Sequence, residues 1–206
     1  MNRRKRRTRS WVADKERDVY TREARRAGYR SRAAYKLQQL DERDRLFSRA
    51  RCVLDLGAAP GGWSQYARER LPGGTLVALD LLPVEPIDGA TIIQGDFTEA
   101  SVQDRVLALV SPHAYDLVLS DMAPNITGIA DVDQANAAHL VEHVMEFSAR
   151  ILAKNGGLVV KAFEGGEAAG IRRLGEQKFH QCAVRKPGAS RDRSREFFLV
   201  LRRPRR

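Results

Sequence analysis

The chain has 206 residues, 43% of them hydrophobic, which is the size and apolar content of one full α/β domain. Its formal net charge of +10 is unevenly spread: residues 1–32 carry net +9 and residues 185–206 net +7, while the stretch between carries net −6. No run of about 18 apolar residues could span a membrane, no apolar segment follows the charged start as in a secretory signal, and neither a disulfide framework nor a metal site emerges from two cysteines and four scattered histidines.

In chain order, Asn2 to Arg9 is nearly all arginine and lysine and cannot bury itself. A charged helix is predicted from about Lys15 to Ala27, stopped by Gly28. Ser31 then caps a second helix, with Ala33, Leu37 and Leu40 facing inward and Lys36 one step off that stripe. Cys52–Leu56 is a run of aliphatic residues with the character of a strand buried on both faces. It ends in Gly57-Ala58-Ala59-Pro60-Gly61-Gly62, and a helix follows from Trp63 to about Leu71. Further strands are predicted at Thr75–Asp80, Thr91–Gln94, Tyr115–Ser120 and Leu158–Phe163. Helices fall near Ser101–Val110, at Asp133–Lys154, ended by Asn155-Gly156-Gly157, and at about Glu167–Lys178. Two late strands, around Ala183 and at Glu196–Leu201, are joined only by the polar Pro187–Ser194 loop. That loop suits a hairpin, and so an antiparallel strand near the edge of an otherwise parallel sheet.

The small-residue turn after the first strand lets backbone approach a ligand closely. Its spacing departs from the dinucleotide pattern G-x-G-x-x-G, so a pyrophosphate on the helix N-terminus is not favoured. Asp55 inside that strand and Asp80 at the end of the next suit a cationic ligand with free ribose hydroxyls, a description that S-adenosylmethionine fits. In an open α/β sheet ligands bind beyond the carboxyl ends of the strands. Here those ends carry Gly57 to Gly62, Asp80, Asp96, Asp121 and Lys161. Asp80 could accept both ribose hydroxyls, and Asp96 the adenine amino group with Phe97 packed nearby. His139 and His143 have helical i, i+4 spacing, but Leu140, Val141 and Glu142 between them do not follow the zinc-protease pattern, and they read as a solvated helix face. The fourth strand ends in Asp121-Met122-Ala123-Pro124-Asn125, without the aromatic that amine methyltransferases use to hold a planar nitrogen. Lys161 on a neighbouring strand is instead a device for handling a hydroxyl. The concentrated basic ends are the electrostatic footprint of a polyanion partner; solubilising tails are the alternative.

The segments SRAAYKL, DLGAAPGGWSQY, LDLLP, QGDF, SDMAPN, VVKAF and KPGASRDRSREFFLV run from Ser31 to Val200 in one order. Together they resemble the FtsJ-type ribosomal RNA 2′-O-ribose methyltransferases. The resemblance implies a Rossmann-like α/β fold: a seven-stranded, mostly parallel sheet of order 3-2-1-4-5-7-6, with helices on both faces. It implies S-adenosylmethionine as methyl donor and, as substrate, a uridine of large-subunit ribosomal RNA, methylated late in subunit assembly. The family's catalytic tetrad falls on Lys36, Asp121, Lys161 and Glu196. Its cofactor contacts fall on Gly61, Trp63, Asp80, Asp96 and Asp121, with Gly57 in the same turn. On this reading residues 1–30 are a basic, RNA-contacting extension, 31–202 the methyltransferase domain and 203–206 a basic tail. The expected protein is a cytoplasmic monomer with no metal and no membrane contact. The rivals are a methyltransferase for a small hydroxylated molecule and a non-catalytic RNA-binding assembly factor.

A ribose 2′-hydroxyl is a poor nucleophile and must meet the methyl in line, at about 3 Å. Two roles for Lys161 stay open. As a neutral base, it would need a lysine pKa near 10.4 lowered by about three units; as an ammonium, it would orient the hydroxyl lone pair. Lys36 and the sulfonium push towards the first, Asp121 and Glu196 towards the second.

Overall fold

The computed structural model describes residues 19–111, 113–125, 127–191 and 194–206. The arginine-rich segment Asn2–Arg9 and the predicted start of the first helix at Lys15 lie outside the described residues. Helix α1 is described over 19–27. The remaining elements follow in the order α2 (Ala34–Asp44), β1 (Cys52–Leu56), α3 (Gly62–Arg70), β2 (Thr75–Asp80), β3 (Ala90–Gln94), α4 (Ala100–Ala108), β4 (Tyr115–Ser120), α5 (Ala130–Ile151), β5 (Leu152–Phe163), α6 (Ala168–Lys178), β6 (Phe179–Arg185) and β7 (Glu196–Pro204). One seven-stranded sheet has the order β3-β2-β1-β4-β5-β7-β6. The first five strands in that order run parallel, and β7 is antiparallel to both β5 and β6. The strand order and the late antiparallel pairing are those expected from the sequence.

Alternation along the strands sorts the core into two layers. Val53, Leu76, Leu117, Leu119, Val159, Phe198 and Val200 face α2 and α3, packing on Leu37, Leu40, Trp63 and Tyr66. Leu54, Leu56, Val77, Val118, Leu158, Val160 and Leu199 face α4, α5 and α6. The apolar runs therefore have no polar alternation because both faces are covered. Two residues beyond Leu119 and Val159 are Asp121 and Lys161; two residues before Phe198, on the antiparallel strand, is Glu196. The period of two thus delivers all three to the α2 side of the sheet, at its carboxyl end.

Four expectations are corrected. Ser31 does not cap α2, whose N-cap is Ala33 with no side-chain bond; the Ser31 side chain packs on Gly62 instead, where an added Cβ would lie 2.3 Å from its hydroxyl. Helix α5 spans 130–151 rather than 133–154, and Asn155-Gly156-Gly157 lies inside β5. The reason is tertiary: Leu152 is fully buried and already paired with Tyr115, so the chain turns extended at once and the irregularity is taken up between Tyr115 and Leu117. The basic tail expected at 203–206 is not separate, since Pro204 pairs with Phe179 in the sheet and Arg205 N–H donates to Lys178 O at 2.7 Å. The boundary expected at residue 30 also falls inside a packed unit: Ala24 is buried, and Gln39 on α2 donates to the Tyr20 hydroxyl on α1.

Candidate active site

The turn after β1 is held by backbone bonds to the neighbouring strand. Gly57 and Ala58 N–H both donate to Leu79 O, and Gly61 N–H closes the turn on Ala58 O at 2.6 Å. Gly57 (φ +77°) and Gly61 (φ +113°) are both in the left-handed region. A Cβ on Gly57 would lie 2.2 Å from Met122 Cγ, so this position is closed to a side chain by strain and by crowding together. Arg30 locks the turn from above. Its guanidinium donates to Glu85 O (2.7 Å), Pro86 O (2.8 Å) and Pro60 O (3.4 Å), tying the turn to the β2–β3 loop. The sequence gives no sign of Arg30's role, since nothing in its neighbours marks a residue whose partners are carbonyls 30 to 56 positions away.

Beside the turn opens a cleft of about 750 Å³. Gly57, Ala59, Asp80, Asp96, Phe97, Asp121 and Met122 line one side of it. Asp80 is aimed by two amides: Ala59 N–H donates to Oδ2 and Leu82 N–H to Oδ1, each at 2.8 Å. Each oxygen keeps a lone pair for a ligand diol. Asp96 Oδ1 accepts from the Thr98 hydroxyl (2.7 Å) and the Thr98 N–H (2.8 Å), and these bonds hold its carboxyl below the usual carboxylate range. Its Oδ2 is available to an amino group. Trp63 is placed elsewhere: its ring is buried against Phe198, and its indole N–H donates to Ala33 O at 2.7 Å. Only its backbone, in the first turn of α3, remains for a cofactor contact. The opposite wall carries Asn136, His139, Leu140 and His143 of α5. The two histidine rings are 4.2 Å apart. Their spacing reads as a solvated face, and His139 is exposed, but that face borders the cleft.

Lys36, Asp121, Lys161 and Glu196 come together at the end of the cleft marked by Asp121. Lys161 Nζ lies 2.9 Å from Asp121 Oδ1 and also donates to the Asp121 backbone carbonyl. Lys36 Nζ lies 2.8 Å from Glu196 Oε1, an ion pair without hydrogen-bond alignment, and 3.8 Å from Asp121 Oδ2. Lys161 and Glu196 are both 8% exposed, which makes this a desolvated charge network rather than surface pairing. Burial alone would raise the Glu196 carboxyl, but Lys36 chiefly, with Ser190 and Lys161, outweighs it and leaves the group below its ordinary value. Helix α2 is fastened so that Lys36 stays over this corner. Tyr66 OH donates to Asp41, Arg185 forks onto Asp44, and Gln39 and Arg32 bond the backbone of Ala189.

The residues present fit a methyl donor of the S-adenosylmethionine kind: a bare backbone cradle, an aimed carboxylate for a diol, a second for an amino group, and acids for a cationic centre. Among the described residues no group of three or more His, Cys, Asp or Glu could hold a metal ion, and no helix is long and apolar enough to cross a membrane.

Comparison with known proteins agrees in detail. The chain is 46% identical over 194 residues to ribosomal RNA large subunit methyltransferase E of Azoarcus sp. strain BH72, covering 94% of this chain and 95% of that protein. The protein of the same description from Nitrosospira multiformis is 47% identical over 194 residues, covering 94% of each. A crystal structure described as a ribosomal RNA methyltransferase, from Plasmodium falciparum, superposes with a TM-score of 0.76 at 26% identity, over 85% of this chain and 98% of that one. The FtsJ-like methyltransferase family model matches residues 29–204, a span that takes in every residue of the cleft and of the charged corner beside it. The chain belongs to the FtsJ-like methyltransferase family.

Proposed function

We propose that this protein transfers the methyl group of S-adenosylmethionine to the ribose 2′-hydroxyl of a uridine in large-subunit ribosomal RNA, in the cytoplasm and late in subunit assembly. The observation that carries the reading is the ion-paired corner of Lys36, Asp121, Lys161 and Glu196 at one end of a cleft shaped for a nucleoside. A small-molecule methyltransferase has no use for the basic ends, and a pure binding factor has no use for this corner. The names borne by the relatives favour ribosomal RNA as the polyanion.

When bound, the cofactor supplies an electrophilic methyl on a sulfonium. The residues of this chain do the rest. Asp80 and Asp96 would grip the ribose and the adenine, and the Gly57 and Gly61 backbone would let the ligand lie against the strand ends. Asp121 would stand between donor and acceptor. Lys161 Nζ has three protons as an ammonium, and Asp121 takes two of them, through its carboxylate and its carbonyl. One direction is left for an incoming hydroxyl oxygen, which favours Lys161 as the group that orients the lone pair. Lys36 and Glu196 would keep that ammonium in place. The gain is chiefly positional: a hydroxyl held in line and close needs little further help.

The test uses ribosomal particles from cells that lack this enzyme, together with methyl-labelled donor. Label should appear in large-subunit RNA as alkali-resistant 2′-O-methyluridine. Label confined to small molecules, or to base nitrogens, would overturn the reading.

A further inference from the structure

Asp55 has no part in the methyl transfer as described, yet it is the most completely buried acid beside the cleft. It sits in β1 between Ala78 of β2 and Leu119 of β4, and it is 1% exposed. Its Oδ2 accepts a bond from the Ser64 hydroxyl of α3 at 2.6 Å, while Oδ1 has no hydrogen-bond partner among the described residues. The charged groups it faces from the adjoining strands are both acids: Asp121 beyond β4 and Asp80 at the end of β2. The cations of this region are spoken for. Lys161 of β5 is held by Asp121, Lys36 of α2 by Glu196, and Arg30 by three carbonyls. A carboxylate here would be desolvated, half-satisfied and next to two like charges, conditions under which a carboxyl keeps its proton. Burial, against the opposing Ser64 bond and aided by the two acids, pushes it up to about 7.

We propose that Asp55 carries a proton in the free protein and releases it to solvent when a cationic methyl donor enters the cleft, so that donor binding and proton release form one linked equilibrium. The inference rests on S-adenosylmethionine as the cofactor. Only the O–H bond of Asp55 breaks, and the proton passes to buffer. The donor brings a net positive charge to a corner bounded by Asp80 and Asp121, which offsets the repulsion that keeps Asp55 neutral. The demethylated product lacks the sulfonium charge and should leave more of the proton in place. Asp55 is thereby a positioning residue for the donor, favouring the charged ligand over its neutral product.

Linkage fixes the sign. Because the free protein holds the extra proton, donor affinity should rise with pH, by about fivefold from pH 6 to pH 7, and level off above. The decisive experiment is calorimetric titration of the full-length protein with S-adenosylmethionine at pH 6.5, in phosphate and in imidazole. The apparent enthalpies should differ by the heat of buffering more than about half a proton, and S-adenosylhomocysteine should show a smaller difference. Asp55→Asn should abolish the buffer dependence, and Ser64→Ala, which removes a bond to the charged form, should move the release to higher pH. Should Asp55→Asn fail to fold, the Ser64→Ala shift and the donor–product difference still decide. Tight binding with equal enthalpy in both buffers would overturn the proposal and leave the cofactor assignment standing. Absence of binding in either buffer would overturn the cofactor assignment itself.

Discussion

The two halves of the carboxyl edge of the sheet solve different problems. Over β1, β2 and β3 the edge is an open cleft: backbone without side chains at Gly57 and Gly61, and carboxylates aimed by neighbouring amides. Over β4, β5 and β7 it is a closed knot of charge, in which Lys36, Asp121, Lys161 and Glu196 satisfy one another out of water. The first half is built to hold something by shape and hydrogen bonds. The second is built to keep two ammonium groups and two carboxylates fixed, a costly arrangement that contributes little to stability and a great deal to geometry. Binding and chemistry should therefore separate on mutation, with Asp121 as the one residue that belongs to both.

The largest effect should come where the halves join. Asp121→Ala should weaken donor binding and also leave Lys161 without its carboxylate. Turnover at saturating donor should fall by about 10²–10⁴, the usual worth of a positioned acid–base group, measured by label transfer to ribosomal particles. A fall in only one of the two quantities would mean that Asp121 serves one half alone.

Asp80→Ala should act on the cleft half only. Loss of a charged acceptor should weaken donor binding by about 1.5–3 kcal/mol, read by calorimetry, with turnover at saturating donor near normal. Unchanged affinity would remove Asp80 from the site. Within the knot, the depressed carboxyl of Glu196 has a consequence for stability. An acid whose folded value lies below its unfolded one contributes stability above its unfolded value, near pH 4.3, and loses it as pH falls through the folded value. Thermal unfolding followed between pH 6 and 3 should show the wild type losing stability more steeply than Glu196→Gln. Parallel curves would say that Lys36 does not hold Glu196 in the folded protein.

The smallest effect lies outside both halves. Removing Arg3–Arg9 should raise the Michaelis constant for particles and leave donor affinity alone. It should also flatten the dependence of particle binding on salt, by about 0.7–0.9 in log–log slope for each phosphate that the segment neutralises. An unaltered slope would make that segment a solubilising tail.

Much of this division is legible in the residues because it follows from local pattern. The run Cys52–Leu56 ending in Gly57 announces a buried strand and a close-approach turn, and a period of two places Asp121, Lys161 and Glu196 on one face once strand order is known. What is not legible depends on partners far along the chain. Trp63 sits in a motif of cofactor contacts, yet its ring turns into the core because Ala33 O and Phe198 are there to receive it. The glycine pair at 156 and 157 reads as a helix stop. The actual stop is Ile151, set by the pairing of Leu152 with Tyr115, which no local signal records. His139 and His143 look solvated from their spacing, and only the packing of α5 shows that they border the cleft.

The central claim is that Lys161 acts in chemistry and not in binding. Its most direct test measures donor affinity and single-turnover methyl transfer together in Lys161→Ala and Lys161→Arg. Lys161→Ala should bind the donor as the wild type does and transfer methyl about 10²–10⁴ times more slowly. Lys161→Arg, charged at any accessible pH, should recover part of that loss if the side chain orients a hydroxyl. Complete loss in the arginine variant, with a wild-type rate that climbs with pH, would contradict orientation and make Lys161 a base. Methyl transfer at the wild-type rate by Lys161→Ala would contradict the catalytic assignment altogether.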